Sequence, residues 1–575
     1  MSATLVRTRI SRVAGPLVEV DAFPGMAMND LMALGPQAVP GEIVAIGEQH
    51  AAVQAYEYTG GLGPGDLATP THRPLSAHLD PGLLGGVFDG LLRPLATAGV
   101  WLDPGAAPGI DGRRWSFRPV VAVGDVVEAG TVLGVVTDAG PLEYRVLVPP
   151  DTGGRVETLA AAGVYGQHDT VATVSGTPVG LTAYWPVRTP RPCRNRSTAA
   201  EPLHTGQRAV DLLFPVLRGG SVSVPGGFGT GKTMLLQQLA KWCDADVIVY
   251  VGCGERGNEM AEIVAELAAQ TDPRTGGLLG ERTVIIANTS NMPMMAREVS
   301  VYTGVTVAEH FRDMGYHVVL VADSTSRWAE ALREFASRTG ALPAEEGYPA
   351  DLASALAAFY ERAGAVTTLG GGSGSVTIVG AVSPPGGDVS EPVTSHTERF
   401  VRCRWSLDRE LAYARHYPAV SWSSSFSRDA EVVAASYAAA GDPDWGERRE
   451  RTAGLLAESD RLSALTELVG TASLPADQRM VVLAGRLLRE AILQQNALSD
   501  NDARCSMAKT TALVDAVLTV VGCCRELVAA GVVPERIESL DFGPLVRARE
   551  ASGPDDTSTV GQLRDHMLAR LGQLS

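Results

Sequence analysis

A chain of 575 residues is too long for one hydrophobic core, so about three or four domains are expected. With 45% hydrophobic and 20% charged residues the composition is that of an ordinary globular protein, and the formal net charge of −17 argues against an extended nucleic-acid-binding surface, which needs clustered positive charge. The acidity reads as solubility.

Seven cysteines (Cys193, Cys243, Cys253, Cys403, Cys505, Cys523, Cys524) lack the paired spacing of a zinc site or a disulfide framework, which points to a reducing cytoplasm and buried thiols. The start, Met1 to Arg7, has no apolar core like that of a signal peptide, and no uncharged run reaches the length of a bilayer span. Any membrane role must therefore run through partners.

In chain order, residues 1–72 alternate β-rich runs (Thr8 to Val20, Gly41 to Ile46, Ala51 to Tyr58) with Gly/Pro turns, the pattern of a small β-barrel. Residues 73–109 read as a Pro/Gly-rich connector. Residues 110–190 form a second β-rich domain, centred on a hairpin expected over Val120 to Val136. That hairpin is like those of lipoyl and biotinyl carriers, but the region has no lysine to carry a group, so its role is structural. From 191 to 435 strands and helices alternate, the signature of a mostly parallel α/β sheet. The strand candidates Ser221 to Val224, Val247 to Val251, Thr283 to Ala287, His317 to Ala322 and Ser375 to Val382 are Val/Ile-rich, as doubly buried strands are. Residues 436–575 are expected to be helical, for example Arg479 to Ala497, with a polar tail around Ser552 to Thr559.

The chemistry concentrates at strand ends, where ligands bind in such sheets. Gly226-Gly227-Phe228-Gly229-Thr230-Gly231-Lys232-Thr233 fits G-x-x-x-x-G-K-[ST] between an apolar run and an amphipathic segment, Met234 to Cys243. Glycines let backbone N–H groups converge on phosphate oxygens, and the helix start adds its unpaired amides. Lys232 supplies charge for the β/γ-phosphates and the Thr233 hydroxyl suits Mg²⁺. The chain has only three lysines, Lys232, Lys241 and Lys509, and one stands where a phosphate loop requires it. Asp323, after Val318 to Ala322, can hold the water shell of that Mg²⁺; an ordinary strand-terminating Asp is the alternative. Glu255 is a candidate for positioning the attacking water, or else a solvated turn residue. Arg256 can stabilise γ-phosphate charge or pair with a carboxylate. Glu259 reads as helix-start charge, and the Met292, Met294, Met295 cluster as core packing.

Gly252 to Met260, Ala287 to Pro293, Ala322 to Glu334 and Gly380 to Asp388 resemble the catalytic A subunit of vacuolar/archaeal-type rotary ATPases. The likeness extends from Gly60 to Asp66 and Arg93 to Leu95 as far as Gln494 to Ala497, and the insert at 110–190 matches an extra domain of that family. The resemblance implies a multidomain protein with an N-terminal β-barrel, a β-rich insert, a central RecA-like P-loop domain and a C-terminal helical domain. It implies ATP hydrolysis or synthesis coupled to proton or sodium transport, with Mg²⁺ and ATP or ADP. The implied partners are non-catalytic B-type subunits alternating with it in a hexameric ring, a central rotor stalk, peripheral stalk subunits and a membrane ion sector, with no nucleic acid. The implied location is cytoplasmic, at the inner face of the cell membrane. By matching positions, Gly226 to Thr233 bind phosphate and Mg²⁺, Glu255 activates water, Arg256 contacts the γ-phosphate, and Tyr417 of His416-Tyr417-Pro418 stacks near adenine. Read from its residues alone, Tyr417 is equally a core aromatic fixed before proline.

The chain departs from the family twice. Leu498 stands where a phenylalanine is usual, which leaves open the second aromatic wall of the adenine pocket. Gly227 replaces a proline, so the loop should be less pre-ordered. A protein-export ATPase or RNA translocase shares the phosphate loop and a Glu-Arg turn, but a translocase should bring a basic channel. A non-catalytic nucleotide-binding ring subunit would be expected to lack Lys232 or Glu255.

Overall fold

The computed structural model describes residues 7–96, 98–99, 102–106, 112–198, 200–470 and 473–574. The chain packs as two compact units, the first Met1–Thr198, Ala245–Val382 and Ser390–Phe400, the second Ala199–Asp244, Ser383–Val389 and Val401–Ser575.

The first unit opens with a closed six-stranded barrel in the order Thr8–Ala14, Leu17–Asp21, His50–Ala55, Val39–Ile46, Asp30–Leu34, Leu67–Pro74. Alternation turns Ile10, Val18, Met32, Leu34, Val39 and Val53 into its core, and closure leaves no sheet edge unpaired. Asp30–Leu34 and Leu67–Pro74 lie outside the runs that β-propensity picks out; pairing around the barrel makes them strands. Arg188 binds Glu42 of the barrel at 3.1 Å and Glu298 of the helix Met294–Asp313 at 2.8 Å, so two buried carboxylates share one guanidinium.

The insert is built from two four-stranded sheets, one ordered Tyr144–Leu147, Val132–Val136, Arg114–Pro119, Gly163–Gly166, the other Val126–Val127, Gly154–Leu159, Thr170–Val174, Thr177–Gly180. This corrects the single hairpin expected over Val120 to Val136: its two arms enter different sheets. Val127, Leu133, Val136 and Val156 are all buried, which two facing sheets achieve and one flat hairpin, wet on one side, does not. The 73–109 stretch holds strands of its own. Ser76–Leu79 pairs with Ala183–Pro186, and Val87–Phe88 runs parallel to Thr283–Asn288.

The rest of the first unit is built on parallel strands ordered Ser373–Val382, His317–Asp323, Val247–Cys253, Thr283–Asn288, Val87–Phe88, with Gly364–Thr367 added antiparallel to Ser373–Val382. Its central strands are buried on both faces, and the helix Met294–Asp313 is itself buried along most of its length. Of the methionine cluster only Met295 is in the core. Met292 and Met294 are half-buried and line a cleft with Glu334 and Arg338, which corrects the expectation of pure core packing.

In the second unit Ser221–Pro225 pairs in parallel with Cys403–Arg404, which pairs antiparallel with Phe426–Ser427. The helix Lys232–Trp242 follows the first of these, and from Ala430 the chain is helical, with Ala430–Ala439, Trp445–Val469, Ala476–Leu488, Met507–Ala529, Gly543–Ala551 and Ser558–Gly572 the longer elements. The helix expected over Arg479 to Ala497 instead covers Ala476–Leu488, widens to a π turn over Arg489–Leu493 and ends at Gln494. Side-chain donors explain the stop: Arg208 takes the carbonyls of Ile492 and Gln494, so terminal carbonyls that would seek further N–H groups are already satisfied. The polar stretch Ser552 to Thr559 is not a tail; it links Gly543–Ala551 to the helix starting at Ser558. Among the described residues no helix is long and apolar enough to cross a membrane.

Candidate functional site

The phosphate loop belongs to the second unit. Its strand, Ser221–Pro225, is wholly buried and delivers the chain to Gly226. Gly229 at φ +79° and Gly231 at φ +82° turn it through the left-handed region, where a side chain costs about 1–2 kcal/mol. Gly226 is required by space instead: a Cβ there would lie 2.9 Å from Leu407 Cβ and 2.7 Å from Thr230 Oγ1. Thr230 is buried and donates to Gly227 O at 2.8 Å, closing the loop. Phe228 is 92% exposed at its tip. Where the resembled family has proline, Gly227 leaves room that Arg409 approaches, its Nη2 3.3 Å from where a Cβ would be.

The helix Lys232–Trp242 has Gly231 at its N-cap, which offers no side-chain oxygen to the first-turn amides. Lys232 Nζ donates to Gly226 O at 3.1 Å and to Ser383 Oγ. Both of these are neutral oxygens, weaker partners for an ammonium than a charged phosphate oxygen. Ser383 escaped the reading of single residues although it lies inside the run Gly380 to Asp388; its pairing with Lys232, 151 residues away, has no local signal. Tyr417 packs directly on the loop: a Cβ on Gly231 would come within 3.1 Å of Tyr417 Cε1. Tyr417 is 41% exposed, so it is no core aromatic, and its ring offers an open face beside the phosphate cradle. Leu498 is 91% exposed.

Glu255, Arg256 and Asp323 belong to the first unit. The buried strand Val247–Cys253 ends at Gly254, φ +73°, where a Cβ would meet Arg327 Cβ at 2.7 Å and Arg297 Cδ at 3.2 Å. Only glycine allows this turn to pass so close under two arginines. Backbone bonds from Gly254 N–H to Asn288 O (2.7 Å) and Ser290 N–H to Glu255 O (2.9 Å) pin it, and Arg297 donates to Ser290 O at 3.0 Å. Glu255 is half-buried in this arginine-rich setting, and Arg327 meets Glu330 through two 2.9 Å bonds. Arg256 is exposed and pairs with Glu259 at 3.6 Å; Glu259 sits in the first turn of Gly257–Ala269, the helix-start position expected of it. Asp323 ends the strand His317–Asp323 in register with Gly252, which puts its carboxylate at the strand end next to that of Glu255. It is 2% exposed and accepts from Tyr250 Oη at 3.2 Å. Burial, then Asp323 and Glu255, push the Tyr250 phenol well above its usual range, so that hydroxyl stays a donor. Cys253, buried beside this turn, is pushed up to about 12, chiefly by burial, and is an inert thiol.

The proposed metal oxygens, Thr233 and Asp323, thus stand on different units. Among the described residues no group of three His, Cys, Asp or Glu side chains gathers as a metal cage. The Thr233 hydroxyl and the Asp323 carboxylate each offer, by themselves, a hard oxygen of the kind that Mg²⁺ takes.

Four family models match. The nucleotide-binding domain of the ATP synthase alpha/beta family matches residues 206–427, the beta-barrel domain of that family 10–72, the ATP synthase alpha/beta subunit barrel-sandwich domain 108–188, and the C-terminal domain of V and A type ATP synthase 435–527. Among curated relatives, the A subunit of the A-type ATP synthase of Haloferax volcanii is 45% identical over 543 residues, covering 93% of this chain and 92% of the relative. The V-type ATP synthase alpha chain of Anaeromyxobacter dehalogenans strain 2CP-C is 50% identical over 515 residues, 88% of each. That of Anaeromyxobacter sp. strain K is 46% identical over 581 aligned residues, covering 100% of both chains.

Proposed function

This chain belongs to the family of A subunits (alpha chains) of A-type and V-type ATP synthases, and from that premise we propose how its own residues handle the nucleotide. It is the catalytic subunit of a rotary ATPase, an ATP hydrolase/synthase whose work is coupled to ion transport. The export-ATPase, RNA-translocase and non-catalytic readings are not favoured, because the barrel, insert, nucleotide-binding and C-terminal regions all match this one family.

The observation that carries the site reading is Tyr417 lying on Gly231 of a loop whose lysine already points at the loop's own carbonyl. In this reading the amides of Gly227 to Thr233 receive the phosphates. Lys232 exchanges Gly226 O and Ser383 for β/γ oxygens, and Tyr417 stacks on the adenine. Glu255, held by the Gly254 turn, orients the attacking water; Arg256 leaves Glu259 to meet γ-phosphate charge. The Thr233 hydroxyl and Asp323 would hold Mg²⁺, which would supply charge neutralisation on the phosphates.

The complex has several subunits, and we assign this chain a non-catalytic B-type neighbour in a six-membered ring, a central rotor stalk and peripheral stalks. Its place is the cytoplasmic face of the cell membrane, with ion passage left to a separate sector. Working boundaries are 1–72, 110–190, 191–435 and 436–575. The test is Lys232→Ala: hydrolysis is lost and nucleotide binding weakened, and Arg does not restore them because its fork is larger and differently shaped. Normal turnover in Lys232→Ala would overturn the reading.

A further inference from the structure

Arg208 opens the six-residue helix Arg208–Leu213 and is fully buried, as is Asp502, and their side chains meet at 2.6 Å. The guanidinium directs bonds from all three of its nitrogens at one strip of chain: Nη1 to Asp502 Oδ1, Nε to Ile492 O at 2.8 Å and Nη2 to Gln494 O at 2.7 Å. Asp502 Oδ2 in turn accepts from Asn496 N–H at 2.7 Å and Arg549 Nη1 at 3.2 Å, and Arg549 also donates to Gln494 O at 2.9 Å. The strip 492–502 is therefore gripped by charge from both sides. From its middle, Gln495 N–H donates to Tyr417 O at 2.7 Å, and the Tyr417 ring lies on Gly231.

A buried ion pair is a weak source of stability, since apolar residues of similar volume serve as well or better. What apolar residues cannot supply is a set of directed bonds to backbone carbonyls, and the flat fork of arginine supplies them where lysine, a point charge, does not. We propose that the Arg208–Asp502 pair is a positioning device for the base-binding wall: by holding the 492–502 strip it holds the Tyr417 backbone, and so the ring, at the height where a nucleobase stacks above the phosphate loop. Arg208, Asp502 and Arg549 are positioning residues that act through Tyr417. This rests on the nucleotide reading above.

The test uses the full chain and two ligands, Mg-ATP and inorganic tripolyphosphate, which offers phosphates without a base. Arg208→Lys keeps the charge and loses the fork. Arg549→Met, at the rim, removes the second guanidinium that holds Asp502 and the Gln494 carbonyl, loosening the same grip from the other side, and carries the test should Arg208→Lys fail to fold. The expected result is an ATP dissociation constant raised about five- to tenfold, part of the worth of one stacked base, with tripolyphosphate binding unchanged. In a Tyr417→Ala background Arg549→Met should have no further effect on ATP binding, since the ring it positions is gone. Parallel weakening of both ligands, an unchanged ATP constant in a folded variant, or an undiminished effect without the Tyr417 ring each overturns the proposal. Failure of the underlying reading has its own signature: binding of both ligands to wild-type chain that Lys232→Ala leaves untouched.

Discussion

Gly229 and Gly231 make a matched pair on which the loop's chemistry can be separated from its backbone. Both sit in the left-handed region, at φ +79° and +82°, so an alanine at either costs about 1–2 kcal/mol. If the free loop keeps its shape the cost appears as lost stability. If it relaxes, nucleotide binding must restore the shape and the dissociation constant rises by up to about 5- to 30-fold. That backbone effect is shared by any ligand that needs the cradle. The two positions differ in surroundings: a Cβ at Gly229 meets nothing within 4 Å, whereas one at Gly231 meets Tyr417 at 3.1 Å, closer than nearly all real contacts. Gly229→Ala should therefore weaken Mg-ATP and tripolyphosphate by one common factor. Gly231→Ala should weaken Mg-ATP by a further few-fold, because the displaced ring loses part of a stacking contact worth about 1–3 kcal/mol. Calorimetric titration of both ligands, with thermal unfolding to record the stability share, reads each quantity. A common factor for both ligands in Gly231→Ala would refute the reasoning, since the ring would then play no part in holding the base.

Glu255→Gln keeps shape and loses the carboxylate, so Mg-ATP binding should persist while turnover falls by about two or more orders of magnitude; collapsed affinity with unimpaired turnover would make Glu255 a binding residue. The purified chain alone should hydrolyse ATP slowly and be strongly stimulated by the proposed ring neighbour, because an arginine supplied in trans is worth roughly 10³ to 10⁵ in rate and Arg256 is anchored in the same turn as Glu255, where it meets phosphate only from its own side. Steady-state turnover across a titration of that neighbour checks this, and full activity of the monomer would contradict it. His416 is held neutral by burial and then by Arg489 and Arg549, its pKa lowered from 6.5 to about 4. The unfolded chain takes up the proton that the folded chain refuses, so stability should fall as pH drops from 6.5 toward 4; His416→Gln should flatten that slope in unfolding midpoints measured across the range. An unchanged slope would remove His416 from the acid response.

The local backbone of the candidate site is legible in the sequence, because it obeys short-range rules. Glycines at Gly229 and Gly231, a lysine at the helix start and an apolar strand before them are a local backbone instruction, and the same holds for Gly254 ahead of Glu255. Doubly buried strands such as Val247–Cys253 announce themselves by composition, since both faces must be apolar whatever lies across them. The helical period of the last quarter and the turn-punctuated β-runs of the first third were readable for the same reason.

The rest depended on residues far apart in the chain. Whether Val126 and Val132 share a sheet was decided by which arrangement buries Val127, Leu133 and Val136 together, a property of the whole insert. The helical pattern running on to Ala497 was cut short by Arg208, 284 residues from Ile492, and Lys232 found Ser383 at a separation of 151. Tyr417 became a surface of the loop rather than a core aromatic through contact with Gly231. Backbone geometry and hydrophobic period act between near neighbours and so are written in the order of residues. The grip of a buried guanidinium on distant carbonyls exists only once tertiary packing has removed water from around it, so that the donors and acceptors must satisfy one another.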